Sequence, residues 1–169
     1  MNLNDLAINN GVLTKYHGSG GAVVIPDGVT AIGDNAFEGC VRMTSLVIPA
    51  GVTRIGEFAF MDCGGLRSVE IPQGVTHIEE FAFAYCTALT SVVIPEGVEE
   101  LGAGAFSDCA ALTSVVMPKE IPMIEHRVFY ECTGLRTLWL TKGDKYVRYD
   151  LDGTLPDALF VELLKKADL

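Results

Sequence analysis

The dipeptides Ile25-Pro26, Ile48-Pro49, Ile71-Pro72, Ile94-Pro95 and Met117-Pro118 recur every 23 residues, and so do Phe37, Phe60, Phe83, Phe106 and Phe129. All five cysteines, Cys40, Cys63, Cys86, Cys109 and Cys132, keep the same step. A fixed period of about 20 to 50 residues marks a repeat architecture, in which no single unit can cover its own apolar face. Positions that stay apolar are Ile71, Val75, Ile78, Ala82, Phe83, Cys86, Leu89 and Val92 in one unit, and Ile94, Val98, Leu101, Ala105, Phe106, Cys109, Leu112 and Val115 in the next. The unit that begins at Ile25 follows with Val29, Ile32, Ala36, Phe37, Cys40, Met43 and Leu46, while the positions between vary among charged, polar and small residues. Constant positions define an inside and variable ones an outside, so the units stack into a right-handed solenoid with one continuous core.

Within a unit, Leu66-x-x-Val69-x-Ile71 alternates like a half-buried strand and stops at Pro72, which cannot donate to a central ladder. Gly74-Val75-Thr76-x-Ile78 alternates again after a turn. Ala82-Phe83-x-x-Cys86-x-x-Leu89 then changes to a spacing of three, which suits one or two turns of helix. Each coil is therefore expected as strand, turn, strand and helical turn.

The run SVEIPQGVTHIEEFAFAYCTALTSVVIPEGVEELGAGAFSDCAALTSVVMP resembles the BspA-like leucine-rich repeat, a 23-residue family of bacterial surface proteins. The resemblance spans residues 22 to 140, in five full units. It implies an α/β leucine-rich-repeat solenoid: a parallel sheet of stacked repeats with short helical turns on the other side. It also implies a non-enzymatic module for protein–protein interaction or adhesion at a bacterial cell surface. Gly28, Gly51, Gly74 and Gly97 stand where an Asn or Cys ladder would follow the strand, so no asparagine ladder is carried over. The fifth unit is the least regular, with Glu120, Pro122 and Val128 replacing glycine, threonine and alanine, as expected near an end.

Three regions follow: residues 1–21 as an N-terminal hairpin cap, 22–140 as the solenoid, and 141–169 as a C-terminal strand, turn and capping helix. Asn10-Gly11 between short apolar stretches is a strong hairpin signal, because both residues tolerate positive φ. At the other end, Tyr146-Val147-Arg148-Tyr149 alternates as a strand, a turn is expected at Asp152-Gly153, and Pro156-Asp157 opens a helix. Leu159, Phe160, Leu163, Leu164 and Ala167 share one face of that helix, which either closes the last coil or docks on a partner.

Charge and length narrow the function. The chain has 169 residues, 49% of them hydrophobic, which is enough for one packed domain and excludes disorder. Its apolar runs stop after about four residues, far below the roughly 20 needed to span a bilayer, so membrane insertion is not expected. Residues 1–5 show neither a basic nor an apolar signal region, so a secretory leader is not expected in this sequence. Twelve basic and twenty-two acidic side chains give a net charge of −10, which repels a phosphate backbone and excludes nucleic acid as a partner.

Candidate chemistry is sparse. Asp150-Leu151-Asp152-Gly153-Thr154-Leu155 matches the nucleophile motif of haloacid-dehalogenase-type phosphatases, but only 14 residues follow it, too few to supply the rest of such a site. It is expected instead as a hairpin turn. The cysteines keep the register of Ile and Leu, are odd in number and lack metal-ligand spacing, so they are expected as buried free thiols. His17, His77 and His126 fall at unrelated offsets and do not converge. Neither catalysis nor a cofactor nor a bound metal is expected.

The surface remains. The residue before each Ile-Pro points away from the core, which aligns Val24, Val47, Glu70, Val93, Val116 and Trp139 in one column beside Ser45, Ser68, Ser91, Ser114 and Thr137. An apolar stripe ending in tryptophan suits protein recognition, the resemblance implies a host or bacterial partner, and Val47, Glu70, Val93, Val116 and Trp139 are the candidate binding residues. Because valine also favours strands for their own sake, a purely structural column stands as the other reading. A further column, Ala31, Arg54, His77, Glu100 and Met123, mixes charges and is expected as a solvated face. The alternative to a surface adhesin is an intracellular scaffold or a self-associating module, which unpaired thiols would suit.

Overall fold

A computed structural model describes residues 5–169; the leader expectation for residues 1–4 lies outside them. Two strands, β1 (Leu6–Asn9) and β2 (Val12–Tyr16), form the opening hairpin. Each following coil contributes a longer and a two-residue strand. They are β3 (Gly21–Val24) and β4 (Ala31–Ile32), β5 (Met43–Val47) and β6 (Arg54–Ile55), then β7 (Ser68–Glu70) and β8 (His77–Ile78). Next come β9 (Ser91–Val93) and β10 (Glu100–Leu101), then β11 (Ser114–Pro118) and β12 (Met123–Ile124). The chain ends with β13 (Leu135–Lys142), β14 (Lys145–Gly153) and α1 (Asp157–Lys166).

The short strands stack into one seven-stranded sheet in the order β1-β2-β4-β6-β8-β10-β12, parallel except for the opening hairpin. The longer strands form a second wall in two sections, β3-β5-β7 and β9-β11-β13-β14. Asn10 and Gly11 both have positive φ, 48° and 79°, as a two-residue type I′ turn requires. Leu13 of β2 pairs with Ile32, so the hairpin already carries the register of the coils.

The third side is built from turns, and no helix forms in it. Two residues of every coil are left-handed, one just before the Ala-Phe pair (Asn35, Phe58, Phe81, Gly104, Arg127) and one two places after the Phe (Gly39, Asp62, Tyr85, Asp108, Glu131). Each reversal aims an amide at the next coil instead of along a helix. The N–H groups of Phe37, Phe60, Phe83 and Phe106 thus donate to the carbonyls of Ala59, Ala82, Ala105 and Val128 at 2.7–2.9 Å. Hydroxyls extend the coil-to-coil bonding at two corners: Thr76 Oγ1 donates to the Thr53 carbonyl at 3.0 Å, and Thr113 Oγ1 to that of Thr90 at 3.0 Å. All backbone groups of a coil must find partners, and stacking supplies them.

Inside, the constant positions are buried as the period requires. The five phenylalanines are flanked by Tyr16, which stacks on Phe37 at 5.2 Å, and by Phe160 of α1, edge-on to Phe129 at 5.6 Å. Between them the rings of Phe37, Phe60, Phe83 and Phe106 lie 4.9 to 5.1 Å apart. The helix is tied down by Lys119 Nζ to the Ala167 carbonyl, by Tyr149 Oη to that of Leu163 (3.3 Å), and by the Arg127 amide to Asp157 Oδ1 (2.8 Å).

One expected turn is misplaced. The chain reverses at Gly143-Asp144, where Gly143 has φ 57°, and Asp150 to Gly153 lie inside β14. Tyr146-Val147-Arg148-Tyr149 is a strand as expected, but it continues past them because β13 is eight residues long and offers it a partner along nearly its whole length.

Candidate interaction surface

The longer strands place the candidate column in register: Val24 beside Val47, Val47 beside Glu70, Val93 beside Val116, Val116 beside Trp139. Val24, Val47 and Val93 are 50 to 55% exposed, although the residues on either side of each along the chain are buried, because the pleat turns alternate side chains outward. Glu70 is exposed and interrupts the stripe where the wall divides between β7 and β9. Val116 and Trp139 are half-buried. The serine column is also in register, with Ser45 beside Ser68 and Ser91 beside Ser114, which stands beside Thr137.

Trp139 is not the end of the stripe. β14 adds antiparallel to β13 and sets Arg148 directly beside Trp139, its guanidinium 5.6 Å from the ring centroid, while the Tyr146 ring lies 5.5 Å away. Val116, Trp139, Thr141 and Tyr146 line a shallow, mostly apolar depression of about 320 Å³. Thr141 Oγ1 bonds Glu96 Oε1 at 2.8 Å at its side. Alternation in Lys-Tyr-Val-Arg-Tyr marks Tyr146 and Arg148 as strand residues, but their position beside Trp139 depends on the Gly143-Asp144 turn and is not legible in the sequence.

The mixed column lies on the other wall, with Arg54 beside His77 and Glu100 beside Met123. Its charges satisfy one another: Arg54 forks onto Glu79 and reaches Asp34 at 3.0 Å, and His77 sits 3.8 Å from Glu100. The Glu79 hydrogen bond holds the Arg54 guanidinium even more firmly protonated than usual. This arrangement balances charge locally and presents no open set of ligands.

The thiols form a ladder of their own. Cys63, Cys86, Cys109 and Cys132 donate to the carbonyls of Phe37, Phe60, Phe83 and Phe106 at 3.0–3.3 Å. All five cysteines are free, four of them buried. Cys40 differs from the expectation of full burial: it is half-exposed at the N-terminal end of the ladder, beside a depression of about 260 Å³ lined also by Tyr16, Gly18 and Arg42. Hydrogen bonding with Cys63 and the charge of Lys15 lower the Cys40 thiol pKa, with burial opposing them. Burial pushes Cys86 up to about 12. The phosphatase-like motif is distributed along an edge strand, with Asp150 paired to Arg148 at 2.6 Å and Leu155 buried. Among the described residues no group of three or more His, Cys, Asp or Glu is placed to hold a metal ion.

Stacked parallel coils, a repeating apolar register and a flat outward column define a leucine-rich-repeat solenoid. The chain belongs to the BspA type leucine rich repeat family, whose repeat matches residues 13–136 in six copies. The first copy reaches back to Leu13, the residue that pairs with Ile32. Among solved structures, the leucine rich repeat protein of T. pallidum is 31% identical with a TM-score of 0.76, covering 82% of this chain and 70% of that one. A leucine rich cell surface protein from Faecalibacterium prausnitzii is 33% identical, with a TM-score of 0.73 over 78% of this chain; the chain spans only 35% of that protein. A leucine-rich repeat protein from Bacteroides capillosus is 32% identical, with a TM-score of 0.55, covering 63% of this chain and 85% of that one. No curated protein matches the chain. No helix among the described residues is long and apolar enough to cross a membrane.

Proposed function

We propose that the chain is a non-enzymatic protein-binding module of a bacterial cell-surface type, which engages a host or bacterial protein through the outward face of its longer-strand wall. The observation that carries this reading is the column of Val93 and Val116 leading to Trp139 and Tyr146 around an apolar depression, with Val47 at the equivalent outward position beyond Glu70. Aromatic side chains on a rigid support carry a large share of interface energy at low entropic cost, and strands locked into a stacked wall hold them fixed. The likeness to a cell surface protein of F. prausnitzii supports the surface role. In this reading residues 22–140 form the recognition scaffold, 1–21 and 141–169 close its ends, and binding needs no cofactor.

The test compares immobilised wild type with the Val47→Glu, Val93→Glu, Val116→Glu variant, after circular dichroism shows both folded, for proteins retained from host-cell and bacterial extracts. Partners lost only by the variant support the reading. Trp139 is the only tryptophan, so a captured partner that binds there also shifts the intrinsic fluorescence. Equal retention by both proteins, or a partner that leaves Trp139 emission unchanged, moves recognition away from this face.

A further inference from the structure

We infer that β14 is a docking edge for a second copy of this chain, the two β14 strands pairing antiparallel about a two-fold axis at Tyr149. This is independent of the sheet-face reading and uses a different surface, the end of the wall.

β14 is the outermost strand of its section and nine residues long. The two-residue turn makes Lys142 and Lys145 a mutually hydrogen-bonded pair, and alternation then makes Leu140 with Val147 and Leu138 with Tyr149 the next ones. The Thr141 carbonyl accordingly faces the other way and accepts from the Lys119 amide at 2.8 Å. By the same alternation the main-chain groups of Tyr146, Arg148 and Asp150 point out of the sheet. Among the described residues nothing bonds to them. A long open edge of this kind is a template for another strand.

The side chains choose the strand. Only outward-facing residues can exchange hydrogen bonds with outward-facing residues, so the pairing can shift only in steps of two. With Tyr149 opposite its symmetry mate, Arg148 of each copy stands opposite Asp150 of the other, twice over. Since Arg148 already touches its own Asp150 at 2.6 Å, the four charges alternate in sign around the axis. A shift of one step in one direction sets Arg148 against Arg148; in the other it sets Asp150 against Asp150 and moves Arg148 opposite Asp152, which lies in the irregular part of β14 outside its paired register, and like charges directly opposite are destabilising. On the core side, Val147, Tyr149 and Leu151 pack against the core but are only half-buried, and a second β14 covers the side they leave open. The irregularity in the ladder near Leu135 limits the matched length to the stretch centred on Tyr149, so the dimer is expected to be weak and concentration-dependent. Pairing would extend the four-stranded section across the axis and bring both Trp139 depressions onto one face.

Sedimentation velocity over a wide concentration range tests this on the full chain. The expected result is a reversible dimer that Arg148→Asp and Asp150→Arg each weaken by at least about tenfold, and that the double swap restores. Arg148→Pro removes the outward amide, a change that edge strands tolerate, together with the guanidinium that lies over Trp139 and pairs with Asp150; it should abolish dimerisation where Arg148→Ala, which keeps the amide, only weakens it, the far-ultraviolet spectrum being unchanged in both. A wild type that stays monomeric throughout overturns the proposal. So does a dimer indifferent to both single swaps, a double swap that fails to restore pairing, or a dimer that dissociates only when Val47, Val93 and Val116 are replaced by Glu.

Discussion

Cys40 stands apart from the other four thiols because the ladder begins with it. Each later cysteine is buried and bonds back to a phenylalanine carbonyl of the preceding coil, whereas Cys40 is half-exposed with Lys15 near it. Thiolate is the reactive form, so a thiol reagent at mildly alkaline pH should modify one cysteine in the native protein and five after denaturation. Cys40→Ser should remove the native reaction; modification of more than one thiol without denaturant would contradict this burial pattern. The buried thiols carry a pH dependence of opposite character. Cys86 moves from an ordinary 9.0 in the unfolded chain to about 12 in the fold, so the folded state favours its neutral form. Its contribution is complete below about pH 9 and falls between pH 9 and 12 by about 1.4 kcal/mol per pH unit. Hydrogen bonding with Cys40 and burial raise Cys63 in the same direction, and Cys109 is raised by Cys132 and burial. Denaturant midpoints should therefore be flat from pH 7 to 8.5 and drop steeply above it, while a midpoint that holds to pH 11 would show that these thiols ionise without unfolding.

At the level of elements, the turns on the third side set the shape of the coil, and they were the least legible part of the sequence. A spacing of three between Ala82-Phe83, Cys86 and Leu89 is common to a helix and to a chain of turns, and a left-handed Phe58, Phe81 or Tyr85 has no compositional signature. By contrast the strands, the Asn10-Gly11 hairpin and the start of α1 at Pro156-Asp157 follow from alternation, paired positive-φ residues and a proline suited to a helix start. The valine column was legible because period and pleat place it without further information. Tyr146 and Arg148 were not, since a turn shifted from Asp152-Gly153 to Gly143-Asp144 decides what stands beside Trp139. Two alanine substitutions separate conformation from crowding at the turns. Gly39 has φ 72° and open space where a Cβ would go, so Gly39→Ala should cost only the left-handed penalty of about 1 to 2 kcal/mol. A Cβ on Gly65 would meet the Val41 carbonyl at 2.4 Å, so Gly65→Ala forces two coils apart and should cost more. Denaturant melts of both variants check the ranking, and a Gly39→Ala variant less stable than Gly65→Ala reverses the assignment of causes.

For the molecule as a whole, stability is built from contacts between adjacent coils, so each end has an exposed layer that must be closed. The N-terminal end is closed by β1, β2 and the Tyr16 ring, and the other by α1, which sets Phe160 on Phe129 and is bonded to Lys119, Arg127 and Tyr149. Removing residues 154–169 uncovers the Phe129 ring and discards buried Leu155, Phe160 and Leu163, at about 1.5 to 3 kcal/mol for each large side chain. That is a large fraction of the roughly 5 to 15 kcal/mol by which a domain is stable, so the truncated chain should melt markedly lower. Where the loss falls distinguishes two kinds of molecule. If coupling runs only between neighbours, amide exchange should accelerate first at Val128 to Leu135, whereas the Phe60 amide, bonded to Ala82 three coils away from the cut, stays protected. Equal acceleration at Phe60 and Phe129 would mean instead that the aromatic column unfolds as a single unit, with the terminal ring holding every coil beneath it.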